Sequence, residues 1–181
     1  MAPFPQRRTT LLTAGASALV ASVLWIVSGF VNHSLLVNAR GVPSPVIDLV
    51  VPRAMSFRVN SGLLGVGAIS ALACLLLALV VAGLTALAVF RLRPGQGLLT
   101  LFLATWFAAV AGSFAASTVQ ALGLASELHM LSGTMRLNLL VPAITAGGYW
   151  GFALGWLAGL AAVATVALSS GRAEDVTATG Y

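Results

Sequence analysis

Residues 137–171 read LNLLVPAITAGGYWGFALGWLAGLAAVATVALSSG, a run of 35 positions without Asp, Glu, Lys or Arg. A helix rises about 1.5 Å per residue, so about 20 apolar residues cross a hydrocarbon core of roughly 30 Å. The run is therefore long enough to cross a bilayer once and too short to cross it twice. Three similar uncharged runs cover 9–39, 59–90 and 94–126. The sequence thus predicts four membrane-spanning helices.

Composition supports the same class of protein. The chain has 181 residues, of which 59% are hydrophobic and 7% are charged. Soluble domains carry about 25% charged residues, and disordered chains are poor in apolar residues. Both classes are therefore excluded, and we expect residues 1–181 to form a single all-α domain in the membrane.

The expected spans are bounded by charges and by residues that stop or start helices. The segment Arg91-Leu-Arg-Pro-Gly-Gln-Gly97 predicts a tight antiparallel hairpin between the second and third helices. Asn60-Ser61 is a candidate N-cap of the second helix, and Pro142 suits the first turn of the fourth. The spans are predicted near 10–31, 61–90, 98–124 and 141–168.

Two segments outside the spans differ in character. Residues 32–60 form a predicted outer loop with three prolines and an apolar run from Val46 to Val51. Prolines disfavour a long helix there, and the apolar run disfavours a solvated loop. The loop is expected either to lie on the membrane surface or to bind a partner. Residues 171–181 are expected to form a short polar tail.

Four spans place both termini on the same side of the membrane. The termini and the 91–97 loop carry five arginines, and the opposite side carries four, Arg40, Arg53, Arg58 and Arg136. Because arginines in short loops tend to stay in the cytoplasm, we expect both termini to be cytoplasmic. The first span is expected to be a retained signal anchor, since its apolar stretch is longer than that of a cleaved signal peptide.

A row of glycines on the fourth helix predicts close helix packing. In a bilayer, helices associate through small residues that let backbones approach, not through hydrophobicity. Each glycine costs about 1 kcal/mol of helix propensity relative to alanine, so four in register are more than composition requires. We expect the row to form a packing seam, either with a helix of the same chain or with a second copy: Gly147, Gly151, Gly155 and Gly159.

The aromatic residues of the spans are predicted to serve different purposes. Trp25 and Phe30 lie near the outer end of the first helix, where an aromatic belt is expected. Trp106 lies deeper in the third helix and is expected to pack against other helices. Trp150 and Trp156 flank the glycine row and are expected to point away from it.

Little in the spans points to catalysis or ion coupling. The four predicted spans contain no Asp, Glu, Lys or Arg, and His33 lies at the outer margin of the first helix. Proton-coupled transporters use such ionisable residues inside the membrane, so transport of that kind is not expected. Gln120 is the most polar residue of the spans and is expected to bond to a neighbouring helix. The arginines are dispersed, so no nucleic-acid partner is expected. The acids Asp48 and Glu127 are expected to form solvated ion pairs rather than a catalytic dyad.

The sequence therefore favours a non-enzymatic membrane protein that needs no cofactor or metal. We expect an accessory or scaffold subunit that packs against another membrane protein or its own copy. One alternative is a pore or carrier for a neutral or apolar solute, lined by Ser, Thr and Gly. Another is a redox subunit that holds haem through His33 or His129.

Overall fold

A computed structural model describes residues 4–38, 64–91, 97–127 and 133–178. All of these except Gly97 belong to four helices: α1 (Phe4–Asn38), α2 (Leu64–Arg91), α3 (Leu98–Glu127) and α4 (Gly133–Ala178). The prediction of an all-helical fold with four helices of spanning length is thereby confirmed. The apolar segments are Arg8–Val31, Ala68–Arg91, Leu98–Gly123 and Leu140–Ser169.

The helices form a ring in which each packs against two others. The most extensive contact joins α3 to α4, followed by α2 with α3, α1 with α2, and α1 with α4. α3 runs opposite to both α2 and α4. Gly112 of α3 faces Leu77 of α2, whereas Gly123, further along α3, faces the earlier residue Ile69. The predicted antiparallel hairpin of α2 and α3 is confirmed by this order.

Two helices, α1 and α4, extend well beyond the predicted spans. α1 begins at Phe4 and continues to Asn38, so it includes the first seven residues of the predicted outer loop. α4 continues to Ala178 and includes most of the predicted polar tail. Apolar sequence marks the part of a helix that suits hydrocarbon, whereas backbone hydrogen bonding continues past a charged side chain. Residues 39–63, including the candidate cap Asn60-Ser61 and the first residues of the predicted second span, lie outside the described residues.

The predicted place of Pro142 in the first turn of the fourth helix is wrong. α4 begins at Gly133, so Pro142 lies inside the helix. Proline has no N–H and cannot bond to the carbonyl of Asn138, one turn earlier. Asn138 is exposed and precedes the apolar segment that begins at Leu140, where a carbonyl can bond to water or headgroups. The interior proline is therefore tolerated.

Large side chains and alanines together fill the centre of the ring. Trp25, Leu77, Val81 and Trp150 are each at most 1% exposed. They form one cluster with five buried alanines, Ala21, Ala73, Ala109, Ala116 and Ala158. All four helices contribute to this cluster, so the interior of the described bundle is a packed core.

Candidate functional site

The glycine row of α4 lies against α3 of the same chain. All four glycines are buried. A Cβ added at Gly151 would lie 2.6 Å from the Cα of Val110, and one at Gly147 would lie 2.7 Å from the carbonyl oxygen of Ser113. Real Cβ atoms do not approach other heavy atoms so closely. The remaining contacts join Gly155 to Ala109 and Gly159 to Phe102.

Two serines of α3 lie directly opposite the row. Positions for a Cβ at Gly147 and Gly151 overlap the hydroxyls of Ser117 and Ser113, respectively. Each hydroxyl donates to its own helix: Ser113 to the carbonyl of Val110 at 2.8 Å, and Ser117 to that of Phe114 at 3.0 Å. The hydroxyls are thus satisfied locally, and the contact with α4 is one of shape. That this seam holds the bundle together stays a prediction.

A second buried contact joins α4 to α1. The rings of Trp25 and Trp150 meet edge to face, with their centroids 4.8 Å apart. The indole N–H of Trp150 donates to the hydroxyl of Ser28 at 3.0 Å. The prediction that Trp25 belongs to an aromatic belt is therefore wrong, since its side chain is 1% exposed and points into the bundle. Phe30, by contrast, is 66% exposed.

Trp106 provides a further link between α3 and α4. Its indole N–H donates to the carbonyl of Phe152 at 3.0 Å, and the centroids of the two rings are 5.2 Å apart. Trp156, on the same helix as Phe152, instead donates to the carbonyl of Ala153 at 2.8 Å. α4 therefore uses one tryptophan for contact with α1 and keeps another half-exposed on its outer surface.

Buried hydroxyls at the N-terminal half of α1 and on the α2–α3 hairpin are bonded to nearby groups. Thr13 donates to the carbonyl of Thr9, and Ser17 to that of Thr13, each at 2.8 Å. The hydroxyls of Thr85 and Thr105 are 3.5 Å apart across the α2–α3 contact. Serine and threonine hydroxyls satisfied in this way cost a membrane helix little. The buried polar side chains of the described residues are all Ser, Thr or Gln.

Gln120 departs from this pattern. Its side chain is 5% exposed, and its Oε1 has no hydrogen-bond partner within the described ranges. The predicted bond from Gln120 to a neighbouring helix is therefore not made by this oxygen. An unsatisfied buried acceptor costs about 1 to 3 kcal/mol.

Replacing Gln120 by methionine is accordingly expected to stabilise the protein. Gln120→Met removes the unsatisfied oxygen and keeps an unbranched side chain, so the thermal midpoint in mild detergent should rise by the equivalent of about 1 kcal/mol. The matched control is Thr145→Val, because the exposed Thr145 hydroxyl already donates to the carbonyl of Val141. A lower midpoint for Gln120→Met would mean that the amide is satisfied by water or a ligand.

The residues of the haem and catalytic alternatives are described only in part. His33 belongs to α1 and Glu127 ends α3, but neither side chain is described. His129 and Asp48 lie outside the described residues. Among the described residues, no three His, Cys, Asp or Glu side chains are grouped to hold a metal ion. Both alternatives stay untested.

Comparison with known proteins adds no assignment. The chain matches no protein-family model, no curated protein and no solved structure at a significant level. The functional interpretation therefore rests on the geometry of the bundle.

Proposed function

We propose that this protein is a multi-pass membrane protein that acts without catalysis, as an accessory or scaffold subunit that binds another membrane helix through the outer surface of α1 and α2. The partner is a helix of another membrane protein or of a second copy. Four helices of spanning length and a packed interior support this function. The observation that carries it is a pair of open glycines on the outside of the bundle.

Gly15 of α1 and Gly83 of α2 are exposed, and a Cβ added at either would meet no atom within 4 Å. The four glycines on α4 are already occupied by contacts with α3. A glycine in a helix interior costs about 1 kcal/mol relative to alanine, and neither of the open ones gains packing within the chain. Glycine on a membrane-facing surface allows a second helix backbone to approach closely.

The two open glycines lie at similar depths in their helices. Gly15 is seven residues inside the apolar segment that begins at Arg8, and Gly83 is eight residues inside the segment that ends at Arg91. At about 1.5 Å per residue these are depths of roughly 10 to 12 Å. Consecutive helices that each span the bilayer once run in opposite directions, so in the proposed topology both depths are measured from the same side of the membrane.

Large apolar side chains flank each of these positions. Leu11 and Leu19 are 73% and 65% exposed on either side of Gly15, and Leu79 and Leu87 are 60% and 54% exposed around Gly83. A small residue between leucines forms a groove into which side chains of a partner helix fit. The surface thus combines close backbone approach with leucine contacts, which suits helix binding.

The packed interior makes a pore through a single copy the weaker interpretation. Trp25, Trp150 and Leu77 lie in the centre of the described bundle and are at most 1% exposed. A solute path between the four helices would require these side chains to move. Contacts on the outer surface need no such rearrangement.

We further propose that the four helices span the bilayer with both termini in the cytoplasm. This orientation places Arg7, Arg8, Arg91, Arg93 and Arg172 on the cytoplasmic side, as the distribution of arginines favours. Cys74 is the only cysteine, so a Cys74→Ala chain provides a cysteine-free background. Cysteines introduced at the termini should not react in intact cells with a reagent that cannot cross membranes. Labelling of these cysteines would contradict the proposed orientation.

Leucine at both open glycines is expected to release the partner without unfolding the protein. Gly15→Leu/Gly83→Leu places large side chains on the exposed surface, where no atom lies within 4 Å of either Cβ position. After purification from the native membrane in mild detergent, mass spectrometry should find a partner at stoichiometric amounts with the wild type. The amount should fall at least about tenfold with the double variant, as loss of about 1.4 kcal/mol of binding predicts.

The matched control is Ala153→Leu, which enlarges an exposed small residue on α4. It should retain the partner at the wild-type level. Equal amounts of partner with the wild type, the double variant and Ala153→Leu would contradict the proposed surface. A monomeric wild type that purifies without any partner would also contradict it.

A further inference from the structure

An open apolar groove runs along the outside of the α2–α3 hairpin. It has a volume of about 680 Å³. Leu84 and Leu87 of α2 line one side, Phe107 and Phe114 of α3 the other, and Ala111 lies between the two phenylalanines. Both phenylalanines are exposed, at 66% and 40%, and alanines provide the space between the larger side chains.

The groove extends along about half of a predicted span. Its lining begins at Arg91, the last residue of α2, and ends at Phe114, near the middle of α3. The lining residues of α3 alone, from Ala104 to Phe114, cover about 15 Å at 1.5 Å per residue. One leaflet contributes half of a hydrocarbon core of about 30 Å. The groove thus has the length of an acyl chain in one leaflet.

A charged residue lies at one end of the groove. Arg91 is exposed and is the only charged residue among the described residues that line the groove, none of which is acidic. A helical side chain points toward the start of its helix, so the aliphatic part of Arg91 extends along the groove. Arg91 itself is the last residue of α2 and of its apolar segment, so it lies at the end of the groove where the predicted span stops. Arginine binds phosphate through paired hydrogen bonds.

We propose that this groove binds one acyl chain of an anionic phospholipid, whose phosphate contacts the guanidinium of Arg91. The length and apolar lining of the groove suit the chain, and the single positive charge at its membrane-surface end suits an anionic headgroup. The site requires the membrane insertion proposed above. It shares Leu87 with the proposed partner surface, but Phe107 and Phe114 of α3 lie outside that surface.

The test measures lipid binding to the purified full-length protein by native mass spectrometry. Phosphatidylglycerol and phosphatidylcholine with identical acyl chains are added separately. The wild type should retain phosphatidylglycerol more strongly, and Arg91→Gln should weaken that binding about tenfold, the loss expected for a hydrogen-bonded charge contact. Arg8→Gln is the matched control, because Arg8 is also exposed, begins the apolar segment of α1 and lies on the same side of the membrane as Arg91 in the proposed topology.

A second variant tests the groove itself. Ala111→Trp fills the space between the phenylalanines at an exposed position and should reduce binding of both lipids while far-ultraviolet circular dichroism stays unchanged. Equal losses for Arg91→Gln and Arg8→Gln would overturn the proposal in favour of diffuse charge attraction. Undiminished binding by Ala111→Trp, or a second copy of the chain covering the groove in place of lipid, would also overturn it. Partner co-purification is measured separately, so failure of either proposal can be recognised.

Discussion

Gly151→Leu is expected to prevent α3 and α4 from packing and to leave little monodisperse protein after purification. Even a Cβ at this position would lie 2.6 Å from the Cα of Val110, which is backbone and cannot rotate away. The helices must separate to admit a leucine, and α3–α4 is the most extensive contact of the bundle. Overpacking of this kind costs roughly 3 kcal/mol or more. Size-exclusion chromatography in mild detergent measures the loss.

Two alanine substitutions test the same contact, because they are expected to change the thermal midpoint in opposite directions. Gly151→Ala adds only the methyl group that meets α3, and it should lower the thermal midpoint. Gly83→Ala adds the same group where no atom lies within 4 Å, and it should raise the midpoint through a gain of up to about 1 kcal/mol in helix propensity. If both substitutions raise the midpoint, the glycine row is not a packing seam.

Trp150→Ala is the second substitution with a large expected effect. The side chain is fully buried, meets Trp25 edge to face at 4.8 Å and donates to Ser28. Removal of a buried tryptophan leaves a cavity and costs about 3 to 5 kcal/mol. Because helices in a bilayer associate through van der Waals packing, the cavity should loosen α4 from α1. The thermal midpoint, followed by circular dichroism, should fall accordingly.

One further variant separates packing from hydrogen bonding at Trp150, and another, at Trp156, is the control. Trp150→Phe keeps an aromatic ring and loses the N–H that bonds to Ser28, a bond worth about 0.6 kcal/mol between membrane helices. Trp156→Ala is the matched control, since Trp156 is 40% exposed and bonds within its own helix. The expected order of destabilisation is Trp150→Ala, then Trp150→Phe, then Trp156→Ala. A Trp156→Ala effect as large as that of Trp150→Ala would contradict the assigned core.

The four helices of spanning length were predictable because long uncharged apolar runs favour helices that suit hydrocarbon. The helix ends were not, since hydropathy does not report where backbone hydrogen bonding stops. Pro142 illustrates the difference: its position within α4 depends on whether the carbonyl of Asn138 can bond to water. Whether water reaches this carbonyl depends on how far Asn138 lies from the apolar segment of α4, which the proline itself does not indicate.

The burial of Trp25, which was predicted to lie in an aromatic belt, is indicated by a pattern in the sequence. Ala14, Ala18, Ala21, Trp25 and Ser28 follow one another at spacings of three and four residues, which places them on one face of α1. The structure buries that face. A tryptophan within a stripe of small residues is better interpreted as a core residue than as part of an aromatic belt.

The partner of the glycine row could not be predicted from the sequence. Rows of small residues occur on the second and third helices too, and composition alone makes them common. The choice of α3 depends on how Ser113 and Ser117 fit opposite two of the glycines, which is a property of the packed pair. The unsatisfied oxygen of Gln120 was equally hidden, because sequence reveals a polar group but not whether a donor reaches it.

The proposed function requires the open surface of α1 and α2 to bind another membrane helix. The most direct test places a photoreactive amino acid at Leu79, on that surface, and in a separate chain at Leu160, on the exposed side of α4. Irradiation of intact native membranes should cross-link one protein through position 79, and Gly83→Leu should abolish that product. Cross-links to lipid alone from both positions would contradict the claim.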